Sequence, residues 1–220
     1  MVFTISLFGL AVTLLIILLI VSFLLFKKRK GEGFDMRNSF PFELSYQTRF
    51  QDSFYTHLLL ALFVLAGCGF YATYDLKFSN GYLIFMMVGG ILSTLAIYAL
   101  FYNPFIRLKL HIINVAISFA LTLAISTSII IYSFLLTKNH LSWASITSIV
   151  LSSLSTIAIL AIMINPRMDL NIRFKEVVLE NGEKEYVRPK YVTLAISEWL
   201  LIFLNIFNML NIVIVLFAIK

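Results

Sequence analysis

The chain has 220 residues, of which 60% are hydrophobic and 13% charged, with a formal charge of +6. Soluble domains keep roughly 25% charged residues, so the composition excludes an ordinary water-soluble globule and predicts an all-α polytopic membrane protein. A single cysteine, Cys68, excludes a disulfide framework within the chain, and membrane topology accounts for the positive charge without invoking nucleic acid.

Residues 1–26 carry no charge and exceed the ~20 apolar residues that a spanning helix needs. A cleaved signal peptide begins with basic residues. Here Lys27, Lys28, Arg29 and Lys30 follow the apolar run instead. This predicts an uncleaved first transmembrane helix with its N-terminus outside and the basic run in the cytoplasm.

Residues 27–55 read as a cytoplasmic basic and amphipathic segment. Lys27, Lys28, Arg29 and Lys30 are candidate lipid-headgroup contacts, at roughly 1 kcal/mol per residue near an anionic surface. The simpler reading is a plain topology signal. Ser39 is placed to cap a helix that has Pro41 in its first turn. Phe42, Tyr46, Phe50 and Phe54 recur every four residues, which predicts a helix lying in the headgroup plane. A docking site for a partner is the alternative.

Four charge-free windows follow at 53–74, 78–106, 110–137 and 139–166. They form two hairpin repeats, 56–110 and 111–172. At an offset of 62, nine of the 17 positions in 92–108 recur in 154–170, including Ser93/Ser155, Thr94/Thr156, Ile97/Ile159, Asn103/Asn165 and Pro104/Pro166. Internal symmetry of this kind marks a duplicated unit. Both hairpins start and finish on the same side, so they are parallel repeats about an axis along the membrane normal. Asn103-Pro104 and Asn165-Pro166 read as helix-stop elbows, because proline disfavours helix for the residue before it. Arg107 and Arg167 follow shortly after the two elbows and are expected to snorkel to headgroups. A gate or binding elbow is the sharper alternative.

Residues 173–192 carry two short β-prone runs around Asn181-Gly182, which predicts a cytoplasmic β-hairpin with a type I′ turn. Residues 193–220 hold the last transmembrane helix. With the N-terminus outside, 14 of the 17 basic residues fall in cytoplasmic loops and only Lys77, Lys138 and Lys220 fall outside. That asymmetry predicts six spans, both termini extracytoplasmic, in the cell membrane.

The last span carries Glu198, Asn205, Asn208 and Asn211. At 100° per residue, Glu198 and Asn205 nearly superimpose and the other two drift to a spread of about 120°. Polar side chains at membrane depth should face protein or water. The face is therefore a candidate solute path, or else a packing surface held by interhelical hydrogen bonds of roughly 0.6 kcal/mol each. Glu198 is expected near the cytoplasmic interface, where its charge is not costly. Ser118, Thr122, Ser126 and Ser133 share one side of span four, and Ser145, Ser148, Ser152 and Ser155 one side of span five. Small residues of this kind suit close helix packing, as do Gly89 and Gly90. A hydroxyl-lined pore is the alternative.

His57 and His111 are not equivalent in the repeat, since they are 54 rather than 62 residues apart. A bis-histidine haem is therefore disfavoured. No phosphate loop, zinc motif or nucleophile elbow occurs. The reading is a non-enzymatic accessory or scaffolding subunit of a larger bacterial membrane assembly, with no cofactor and no metal. Its expected partners are the lipid bilayer and another membrane protein or a second copy. The alternative is a small-solute transporter or channel built from the two hairpins.

Overall fold

A computed structural model describes the chain except residues 47–49, 74–80, 103–107, 140–141, 166–174, 179–183, 188 and 219–220. At 45–46, 50–53, 82–83, 102, 108–109, 139, 175–178, 184–187 and 218 only the backbone is described. Seven helices are described: α1 (Val2–Lys30), α2 (Pro41–Tyr46), α3 (Phe50–Ala72), α4 (Gly81–Tyr102), α5 (Leu108–Asn139), α6 (Trp143–Ile164) and α7 (Thr193–Ala218). All but α2 are long and apolar enough to cross a membrane, as expected for a multi-pass membrane protein.

Helix α1 runs four residues past the expected 1–26 span, through the basic cluster. Four basic residues occupy its last turn, where they complement the helix dipole. Gly31 then adopts φ 74° and returns its N–H to the Lys27 carbonyl, a left-handed cap that glycine takes without steric penalty. The buried positions of α1 are Thr4, Ala11, Leu15, Leu18 and Ser22. They form a narrow seam of near-seven-residue spacing, packed antiparallel on α3. Thr4 Oγ1 donates to the Thr73 carbonyl at 3.0 Å and ties the start of α1 to the end of α3.

Helix α3 packs on α4 and α5 packs on α6, and α4 packs on α5 as well; α5 begins at Leu108, inside the range assigned to the first repeat. Glycine lets α3 and α4 approach. A Cβ on Gly90 would strike the Tyr71 ring, and one on Gly67 would lie 2.9 Å from the Thr94 methyl. Between α5 and α6, hydroxyls do the same. Ser133 Oγ donates to Ser148 Oγ at 3.0 Å, and Ser126 and Ser155 Oγ atoms lie 3.0 Å apart. All eight hydroxyl residues of these two faces are buried, so they pack helix on helix.

The start of α6 is capped by Ser142 and Ser145 in a reciprocal box. Its end falls at Asn165, with φ −63° and ψ 115°. This is the extended conformation that a following proline imposes. Asn103, Pro104, Pro166, Arg107 and Arg167 lie outside the described residues, so the other elbow and the two arginines are not placed.

The lipid-facing stripe expected across Phe42, Tyr46, Phe50 and Phe54 is corrected. Helix α2 is described over Pro41–Tyr46 and α3 from Phe50, with 47–49 outside the described residues. Phe42 is buried whereas Phe54 is 60% exposed, so the four residues do not share one lipid-facing stripe. The 31–46 segment instead folds under the end of the bundle, with Phe40, Phe42 and Leu44 in the core. Ser39 does not cap α2 either. Its hydroxyl donates to Asn38 Oδ1, and its carbonyl accepts Trp199 Nε1–H at 2.8 Å. The Val192 N–H donates to the Arg37 carbonyl at 2.8 Å, a second tie to the start of α7. At the surface, Arg37 grips Asp35 through two nitrogens and holds that carboxyl below its usual range.

Strands β1 (Lys175–Val178) and β2 (Lys184–Val187) pair antiparallel, Lys175 opposite Val187 and Val178 opposite Lys184. The expected type I′ turn at Asn181-Gly182 falls on 179–183, outside the described residues.

Candidate functional site

Helix α7 is the most enclosed of the six long helices and packs on α4, α5 and α6. Its polar face turns inward. Glu198, Asn205, Asn208 and Asn211 are each fully buried, so together they run about 20 Å along the interior at 1.5 Å per residue.

The pseudo-equivalent serines of the two repeats both meet this face. Asn205 Nδ2 donates to Ser93 Oγ at 2.7 Å. Asn208 Oδ1 accepts from Ser126 at 2.9 Å and from Ser155 at 3.3 Å, while its Nδ2 donates to the Thr122 carbonyl at 3.3 Å. The repeat therefore has a structural meaning. Ser93 and Ser155 point inward from α4 and α6, as do Ile97 and Ile159, while Leu92 and Leu154 point outward. The polar column is incompletely satisfied. Asn205 Oδ1, both amide atoms of Asn211 and Ser152 Oγ have no hydrogen-bond partner among the described residues. A buried polar group left unmatched costs roughly 1–3 kcal/mol.

The expectation for Glu198 is corrected. Its side chain is fully enclosed rather than exposed, with Oε1 2.7 Å from His111 Nε2. The pair bridges the first turn of α5 and the second turn of α7. Its other oxygen, Oε2, has no partner among the described residues, and Glu43 of α2 acts on it electrostatically. Phe40 and Phe42 stack on each other at 5.6 Å and both set ring edges against His111, at 6.0 Å and 5.6 Å. A second aromatic group closes the same end of the bundle, with Phe34 at 5.8 Å and Phe101 at 6.2 Å from Trp199. On its other side His111 borders an apolar cavity of about 280 Å³ lined by Ile112, Val115, Phe119, Met163 and Leu194.

Reading the sequence missed this pair, although a signal existed: His111 and Glu198 are ionisable residues inside apolar runs, and such groups seek each other in a membrane. His111 is committed to Glu198, while His57 on α3 is half-buried. No group of three or more His, Cys, Asp or Glu side chains able to hold a metal occurs among the described residues. Lys27, Lys28 and Lys30 are exposed at the end of α1 and Arg29 is half-buried. Compared with protein-family models, with curated proteins and with solved structures, the chain matches none.

Proposed function

We propose that the chain is a non-enzymatic transporter or channel for a small solute, with its path along the inward face of α7. The observation that carries this reading is the column itself. Asn205 and Asn211 hold polar atoms in the interior of a membrane-spanning bundle without partners among the described residues. Packing alone favours satisfying or removing such atoms, whereas a path needs them for water or solute. The two repeats meet α7 through equivalent serines, an arrangement suited to a path lined by both. The charge asymmetry supports a cell-membrane location with both termini outside. The α2 end of the bundle is then cytoplasmic.

The test is flux through proteoliposomes, screened over small ions and polar solutes, for wild type and for the Asn205→Leu, Asn208→Leu, Asn211→Leu variant. Loss of flux with a retained gel-filtration profile and retained helicity supports the path. Flux equal to wild type in that variant sinks it.

A second reading, an accessory subunit of a bacterial membrane assembly, is favoured by the β1–β2 pair. A lone two-stranded hairpin is marginal in water, which points to a partner surface. Native mass spectrometry after gentle extraction separates the two. A stoichiometric different protein supports the subunit reading, and a homo-oligomer or monomer supports transport.

A further inference from the structure

We propose that the His111–Glu198 pair is a proton-binding site, closed towards the cytoplasm by the Phe40–Phe42 plug, through which a proton gradient drives the bundle. The proposal rests on the transport reading for what the proton drives, but the site stands on its own geometry.

Two titratable groups lie 2.7 Å apart with no exposed surface on either side chain. With one proton shared between Nε2 and Oε1 the pair is neutral, whether written as carboxylate with imidazolium or as carboxyl with imidazole. Losing that proton leaves one negative charge, and gaining a second leaves one positive charge. Either is expensive where no water reaches, so the enclosed pair holds one proton and can change its load only when the enclosure opens. Glu198 Oε2 supplies the landing atom: it is an acceptor without a partner among the described residues. Among the described residues, Glu43 of α2 is a further ionisable side chain that acts on Glu198.

The closure is a separable element. Phe40 and Phe42 belong to the short 31–46 segment rather than to a spanning helix, and they cover His111 edge-on. Hydrogen bonds tie the segment to α7, among them Trp199 Nε1–H to the Ser39 carbonyl and Val192 N–H to the Arg37 carbonyl. Glu198 lies one residue from Trp199. A change in the pair's charge therefore acts on the same turn that anchors the plug. Along α7, Asn205 lies two turns further in on nearly the same face, so the proton site is at the mouth of the polar column.

The experiment is pH-difference infrared spectroscopy of the purified full chain in lipid nanodiscs, between mildly acidic and mildly alkaline pH. A protonated-carboxyl carbonyl band that grows on acidification, vanishes in Glu198→Gln and shifts in His111→Gln supports the site. A titrating band unchanged in Glu198→Gln, or no carboxyl band that responds to pH, overturns it. Glu198→Gln keeps the shape of the side chain, and the His111→Gln spectrum provides a second reading if one variant fails to fold. After a stopped-flow pH jump, Phe42→Ala should protonate the site at least several-fold faster than wild type. An unchanged rate overturns the plug. Proton entry into dye-loaded proteoliposomes then addresses the transport reading separately. A titrating Glu198 in a chain that moves neither protons nor solute refutes transport and leaves the proton site in place.

Discussion

At the scale of single residues, the decisive fact is that Glu198 and His111 are buried together rather than apart. A buried ion pair is weak evidence for stability, because desolvation offsets much of its attraction, but removing one partner strands the other. Hence His111→Leu alone, which leaves the carboxylate enclosed with Glu43 nearby, should cost about 3–5 kcal/mol. The double variant His111→Leu, Glu198→Leu should recover most of that loss. Chemical unfolding in detergent, followed by Trp199 fluorescence, measures both. Equal destabilisation of the single and double variants would show that the pair is not coupled. The asparagines behave differently. Asn208 has three partners on α5 and α6, whereas neither amide atom of Asn211 has one among the described residues. Asn208→Leu should therefore destabilise more than Asn211→Leu, and the reverse order in the same assay would contradict the hydrogen-bond assignment.

At the scale of elements, close approach depends on small residues whose role was visible in sequence and whose partners were not. The glycine pair on α4 was legible as a packing site. That Gly90 faces the fully buried Tyr71 ring follows only from how α3 lies on α4. A methyl group there meets the middle of the ring rather than a flexible tip. Gly90→Ala should therefore destabilise by about 1–3 kcal/mol through overpacking. Combined with Tyr71→Ala, its effect should be smaller than the sum of the two single effects, and strict additivity in a double-mutant cycle would disprove the contact. The 31–46 segment teaches the complementary lesson. A four-residue aromatic spacing suggested one lipid-facing stripe, but Phe42 is buried under the bundle while Phe54 is exposed.

At the scale of the whole molecule, six apolar helices and a basic bias predict the orientation, which a labelling experiment tests directly. With Cys68 replaced by Ser, single cysteines introduced at Val2 and at Gly33 can be probed with a membrane-impermeant reagent on intact cells. The Val2 site should label and the Gly33 site should label only after permeabilisation. The opposite pattern would invert the topology, place the His111–Glu198 end outside and reverse the direction in which the proposed site meets its gradient.

What the sequence determined by itself are the properties set over a few turns. Span number and approximate limits follow from hydropathy, the end of α6 from Asn165 before proline, and the inward polar face of α7 from its helical spacing. Each depends on neighbours within one helix, so local periodicity carries it. The tertiary structure alone decided which faces meet: Glu198 with His111 across 87 positions of sequence, Asn205 with Ser93, Asn208 with Ser126 and Ser155, and Phe40 and Phe42 over the histidine. Those partnerships arise because a membrane interior offers ionisable and amide groups almost nothing but one another, and helix packing selects which of them come within reach.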